Sequence, residues 1–305
     1  MSVLDRRLVE EVAFRLRTDP GLIEKDWHVT QALGVLAGFD HGGIVPAFGG
    51  GTSLSKAWGL IQRFSEDIDF KVALPEMSGN AARRERSAYR ERIVDALTRT
   101  GFVLTGDVTK ADESRFFSAE FLFPTLFDTS RGLRPHIKVE MTLTAPALPA
   151  SMRPLGSLIS RTLGQTPEVA AFPCIAPVET ASDKMSALAW RVQARGRGSD
   201  RDDPTIIRHL HDLAALKTEA MASPEFTRLV RAAIVNDAGR GGEATASTDP
   251  AQLLSAMLDT LQKDPLWASE YENFVDAVSF AAPGEELGFA AALDATRDLV
   301  AAILK

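Results

Sequence analysis

The sequence predicts an α+β protein, a mixed sheet with flanking helices in the first half followed by a domain that is helical throughout. Three observations carry that expectation. Short apolar or alternating runs recur between residues 44 and 143, separated by glycine turns and one long charged helix. A proline-rich connection then follows at 146–177, with Pro146, Pro149, Pro154, Pro167, Pro173 and Pro177. Beyond it every apolar pattern has helical spacing. The 305 residues are enough for two domains at about 150 residues each, so 1–150 is expected to hold the sheet with its N-terminal helices, and 151–305 the helical domain that closes the active-site cleft.

Taken in order, Leu8, Val9, Val12, Ala13 and Leu16 set a helical period that Thr18-Asp19-Pro20-Gly21 breaks, and a second helix is expected over 22–37. His41-Gly42-Gly43 turns into the apolar strand 44–48, which ends in Gly49, Gly50 and Gly51. A short helix over 52–58 precedes Asp67-Ile68-Asp69-Phe70-Lys71-Val72, whose strict alternation marks a strand. Residues 79–99 form a charged helix with Ala88, Ile93, Val94 and Leu97 as its buried stripe and Arg83, Arg84, Arg86, Arg90 and Arg92 on its solvated face. Strands follow at 102–104, 116–123 and 136–143, and 146–177 is expected to be loop. Helices are expected over 178–195, 204–219, 224–235, 250–262, 267–281 and 284–304.

Composition narrows the function. A net charge of -7 argues against a protein that grips nucleic acid mainly by neutralising phosphates, so any such contact is local. The single cysteine, Cys174, excludes a disulfide framework and a cysteine-rich zinc site. No apolar run reaches the roughly 18–20 residues of a membrane helix, and the first residues lack a signal-peptide core, so no membrane contact and a cytoplasmic location are expected. The excess of carboxylates raises another possibility, a cluster that holds divalent metal.

Three pieces of the first half fit one chemistry. In the turn Gly49-Gly50-Gly51-Thr52-Ser53-Leu54, glycines permit close backbone approach and the new helix presents unpaired N–H groups, a cradle for a triphosphate. In Asp67-Ile68-Asp69, strand residues two apart point the same way, so both carboxylates can share metal ions. Glu140, within the alternating run Ile137-Lys138-Val139-Glu140-Met141, can add a third carboxylate and take the proton of an acceptor hydroxyl. Three carboxylates suit a two-metal phosphoryl-transfer site.

That order resembles the polymerase-beta-like nucleotidyltransferase superfamily. More narrowly, Glu24-Lys25-Asp26-Trp27, Gly50-Gly51-Thr52-Ser53-Leu54 and Arg63-Phe64-Ser65-Glu66-Asp67-Ile68-Asp69-Phe70 resemble the AbiEii/AbiGii toxin family, the nucleotidyltransferase toxins of type IV toxin–antitoxin and abortive-infection (phage-defence) systems. Asp183-Lys184-Met185-Ser186-Ala187-Leu188 and Arg208-His209-Leu210-His211-Asp212-Leu213 are similar to that family's later motifs. The resemblance implies that Asp67, Asp69 and Glu140 bind Mg²⁺, with two ions expected, and that Thr52 and Ser53 touch the phosphates of an NTP beside Gly50 and Gly51. It also implies that Lys184 contacts the phosphates and that Asp212 completes the active site. The chain departs from the family's Arg-Asp-Leu-x-Asp-Leu pattern at His209, where many members have aspartate.

Plainer readings stand beside these. Arg63 and Ser65 either orient phosphate or brace their loop. Glu24, Lys25 and Asp26 would ordinarily form a helix surface, and the family resemblance gives interdomain or nucleotide-side packing as the alternative. His209 and His211 diverge by about 200° on a helix, so they are not expected to share a metal. RNA contact falls to the 79–99 arginines or to Arg195, Arg197 and Arg201. The resemblance implies transfer of NMP from an NTP to an RNA acceptor, foremost the 3′ end of tRNA, and a cognate antitoxin as partner. The alternatives are transfer to a protein hydroxyl (AMPylation-like) and a catalytically silent module that binds nucleotide or antitoxin.

Overall fold

The computed structural model describes residues 4–75, 79–111, 115–128, 134–199, 202–238, 240, 247–282 and 284–305. It divides into two compact units, 1–176 and 177–305. The sheet unit therefore runs past the expected boundary at 150, because the proline-rich stretch is built into the sheet.

Two helices open the first unit, α1 (Arg6–Leu16) and α2 (Pro20–Ala37). Asp5 and Asp19 cap them by accepting from the Arg7 and Gly21 amides, and Pro20 occupies the first turn of α2. Helix α2 is buried from Gly21 through Thr30, as an element enclosed on every side must be. Its three charged residues are not a surface. Glu24 accepts from the Leu126 and Phe127 amides, Lys25 pairs with Glu66, and Asp26 holds Lys56 at 2.5 Å and the Leu158 amide at 2.6 Å. Burial raises the Glu24 carboxyl and lowers the Lys25 and Lys56 ammonium groups.

The seven strands are β1 (Val45–Gly49), β2 (Asp67–Ala73), β3 (Val103–Ala111), β4 (Phe116–Leu122), β5 (Ile137–Thr142), β6 (Ser151–Leu155) and β7 (Val169–Cys174). They lie in the order β3-β4-β5-β2-β1-β7-β6. The sheet is mixed: β2 runs parallel to β5 and β1 parallel to β7, while the other neighbours are antiparallel. Strands β6 and β7 and the short helix α5 (Leu158–Thr162) replace the expected loop. Proline is tolerated there because Pro154 lies on an edge strand and β7 pairs with β1 only at Phe48–Cys174, so the N–H missing at Pro173 breaks little of the ladder.

Helix α3 (Gly50–Lys56) follows β1, and α4 (Gly79–Arg99) packs on α2. The buried face of α4 carries Ala82, Tyr89, Arg90, Ile93 and Leu97, so Arg90 is not solvated as expected; it donates to Ser87 Oγ at 2.6 Å. The core joins α2, α4 and one face of the sheet through Val29, Leu33, Leu36, Phe48, Ile68, Phe70, Phe117 and Val139.

The second unit is helical: α6 (Pro177–Ala194), a 3-10 turn (Pro204–Ile207), α7 (Arg208–Ala215), α8 (Lys217–Ala222), α9 (Phe226–Asp237), α10 (Pro250–Lys263), α11 (Leu266–Val278) and α12 (Phe289–Ile303). Helix α6 lies at its centre, packed by α7, α9 and α10. The continuous helix expected over 204–219 is thus three short pieces. Among the described residues no helix is long and apolar enough to cross a membrane.

Candidate active site

The triple glycine earns its place through the chain's own side chains. Gly50 adopts φ +68°, and a Cβ there would lie 2.0 Å from Asp69 Oδ2. A Cβ on Gly51 would lie 2.8 Å from both Arg63 Nη2 and Ser65 Oγ. The group that approaches this backbone closely is the chain's own Asp69 carboxylate.

Alternation along β2 sends Ile68, Phe70 and Val72 into the core and Asp67, Asp69 and Lys71 to the opposite, half-buried face. Parallel pairing sets Asp67 beside Lys138 and Asp69 beside Glu140, and β1 sets Gly49 beside Asp69. The expected carboxylates Asp67, Asp69 and Glu140 therefore share one sheet face. They are not alone on it. Arg134 Nη1 lies 3.0 Å from Asp67 Oδ1 and its Nε 3.7 Å from Glu66, while Lys138 Nζ lies 2.5 Å from Glu140.

Among the described residues, no three His, Cys, Asp or Glu side chains converge closely enough to hold a metal ion. The donor chemistry still fits a hard cation. Asp67 and Asp69 offer carboxylate oxygens from one strand face, beside a turn that leaves room for the Asp69 carboxylate, which is the oxygen set Mg²⁺ takes. Glu140, the register partner of Asp69, is paired with Lys138 through Oε1.

The hydroxyls of the turn are enclosed. Thr52 and Ser53 are 0% and 1% exposed. Thr52 Oγ1 donates to the Asp67 carbonyl at 2.5 Å and lies 3.0 Å from Ser65 Oγ, and Ser53 sits beside the Cys174 thiol. Thr52 thus braces the turn against β2, whereas Ser53 Oγ is buried without a hydrogen-bond partner among the described residues. Arg63 is 3% exposed and donates to the Phe64 carbonyl, which is the loop-bracing alternative. Burial pushes the Cys174 thiol up to about 12, so it stays protonated and unreactive.

Sequence reasoning did not assign a site role to Arg134, Glu66, Lys25 or Lys138. Lys138 was visible as a face-mate of Glu140 by alternation. Arg134 carried no signal, since it precedes β5 in a stretch without periodicity and its partners are 67 and 68 residues away.

In the helical unit Lys184 and Asp212 pair with each other, with Nζ 2.7 Å from Oδ2. Asp212 is wholly buried and Lys184 nearly so. His211 Nδ1 lies 3.5 Å from the other Asp212 oxygen, and its ring packs by Tyr271 and Phe274. His209 is buried, and both its ring nitrogens lack a hydrogen-bond partner among the described residues. Burial, then the charges of Lys184, Arg208 and Arg191, hold it neutral, well below the ordinary histidine range. The rival basic patch is already committed within the fold. Arg195 and Arg197 both pair with Glu270, Arg195 also with Asp202 and Arg197 with Asp264, and both guanidiniums stack on Trp267. Arg201 lies outside the described residues.

Residues 37–295 match the family model described as nucleotidyl transferase AbiEii toxin, type IV toxin–antitoxin system. In structure the chain is similar to MenT4, a nucleotidyltransferase toxin from Mycobacterium tuberculosis H37Rv, at 18% identity and a TM-score of 0.56, with 99% of each chain covered. At that identity the likeness shows a shared fold. No curated protein matches the chain by sequence.

Proposed function

The chain belongs to the AbiEii family of nucleotidyltransferase toxins from type IV toxin–antitoxin systems, and from that premise we propose that it transfers a nucleoside monophosphate from an NTP to an RNA 3′ hydroxyl, foremost that of tRNA. The observation that supports this reading is the shared sheet face of Asp67, Asp69 and Glu140 beside the Gly49–Gly51 turn. On it, Asp67 and Asp69 hold divalent metal, with Glu140 as the third carboxylate. Bound Mg²⁺ supplies charge neutralisation to the triphosphate and lowers the pKa of the acceptor hydroxyl.

The chain's own residues then position and neutralise. Backbone amides at Gly50 and Gly51 face the phosphates, with the Thr52–Ser53 turn, Arg63 and Ser65 keeping the loop rigid behind them. The acceptor oxygen forms its bond to the α-phosphorus, the bond to the bridging oxygen breaks, and pyrophosphate leaves. Glu140 takes the acceptor proton once Lys138 has released it. In the helical unit Asp212 fixes the Lys184 ammonium. The net charge of -7 suits an enzyme that holds only an RNA end in the cytoplasm and is restrained by a cognate antitoxin.

The test is to incubate the protein with each α-labelled NTP, Mg²⁺ and a cell extract, then digest with ribonuclease or protease. Label removed by ribonuclease and absent with Asp69→Ala is the expected result. Label removed only by protease would assign a protein hydroxyl as acceptor, and no incorporation with any NTP would leave a silent binding module.

A further inference from the structure

The cation over Asp67 is placed by a relay that begins in the buried helix α2. Lys25, 1% exposed, pairs with Glu66 and donates to the Arg134 carbonyl at 2.6 Å. That bond fixes the Arg134 backbone, while its side chain is 39% exposed and ends on Asp67, itself 13% exposed. The tether is therefore rigid and the charged end lies at the surface.

We propose that Arg134 is an exchange cation that occupies Asp67 in the nucleotide-free protein and trades that carboxylate for a polyphosphate oxygen when NTP binds. The proposal rests on the reading that Asp67 and Asp69 are metal ligands. Three features support it. Without Arg134 the Asp67 carboxylate would lose its cation while Asp69 stands on the same strand face, which is unfavourable for two like charges. The guanidinium fork matches carboxylate and phosphate equally well, so the trade changes its partner without losing hydrogen bonds. And the move leaves nothing unpaired behind it, because Glu66 keeps Lys25 when Arg134 departs. Lys138 is not suited to the same task, since its partner Glu140 sits two residues along its own strand.

The consequence is ordered loading: the carboxylates are available to metal chiefly when nucleotide is present. Mn²⁺ binding to the nucleotide-free, full-length protein, read by electron paramagnetic resonance, tests this without turnover. Arg134→Gln should tighten Mn²⁺ binding about tenfold by removing one competing charge near the site, and Arg134→Lys should stay close to the parent. With Mn²⁺ and a non-hydrolysable NTP analogue, Arg134→Gln should hold the analogue more weakly than the parent. If Asp69→Asn abolishes Mn²⁺ binding but Arg134→Gln leaves it unchanged or weaker, the exchange is overturned and the metal site stands. An equal gain in Arg134→Lys would also overturn it, because charge would not be the cause. If Asp69→Asn leaves Mn²⁺ binding intact, the metal reading fails and takes the exchange with it.

Discussion

Asp67 with Arg134 in the sheet unit and Asp212 with Lys184 in the helical unit are the same kind of pair, a carboxylate closed by a nitrogen cation at 3.0 and 2.7 Å. Their surroundings separate them. The first pair is 13% and 39% exposed and sits on an open sheet face; the second is 0% and 9% exposed and enclosed by helices. Water screens the first and competes for it, so exchanging its partner costs little. The second has lost its water, so either member alone would be a buried charge. The sheet unit thus keeps its acids exchangeable, as the proposed metal and nucleotide site would require, and the helical unit fixes its lysine in one place.

The sharpest way to break this contrast is Asp212→Ala, which strands Lys184 and should cost about 3–5 kcal/mol of stability, read as a loss of the helical unit's cooperative melt. Lys184→Met combined with Asp212→Leu should recover most of it, and failure to recover would mean that the pair does more than balance charge. Acid separates the units next. His28 is pressed against Phe123 and faces the Pro124 carbonyl, and burial lowers it from 6.5 to about 4. It stays neutral in the fold while the unfolded chain takes a proton, so stability is lost as pH falls from 6.5 toward 4, in all by about 3 kcal/mol. His28→Gln should flatten that slope in the sheet unit and His209→Gln in the helical unit, each followed by amide exchange at pH 7 and pH 5. Gly50→Ala should cost about 1–2 kcal/mol for the left-handed backbone alone and displace Asp69, so nucleotide transfer should fall further than stability does. Smallest of all, a double-mutant cycle on Asp67 and Arg134 should return a coupling of about 1 kcal/mol or less in the melt. A larger value would place that pair with the buried one.

Much of this was legible in the sequence where the pattern is local. The alternation of Asp67-Ile68-Asp69-Phe70 marked both the strand and the shared face, whereas the Lys184 and Asp212 motifs gave no sign that the two side chains pair with each other. The motifs did not reveal what each residue touches. Gly50 is required by Asp69, 19 positions on, and Thr52 turns inward to the Asp67 carbonyl, contacts that exist only once β1 and β2 lie antiparallel. Strands β6 and β7 were hidden because prolines read as loop, whereas Pro154 lies on the edge strand β6 and Pro173 on a strand that pairs with β1 at a single position. The charges at 24–26 read as surface because burial of an ion is rare unless a partner meets it, and their partners come from distant segments.

Those three residues also set a schedule for folding. Glu24 is bonded to an amide 102 positions on, Lys25 to a carboxylate 41 positions on, and Asp26 to an amide 132 positions on. Contacts of such separation bring little return until the loops between them have closed. A nascent chain emerging from the ribosome cannot satisfy Asp26 fully before residue 158 has appeared, so helix α2 reaches its final state late and together with the sheet. The sheet unit is therefore assembled as one cooperative event only once about half of the chain has been made.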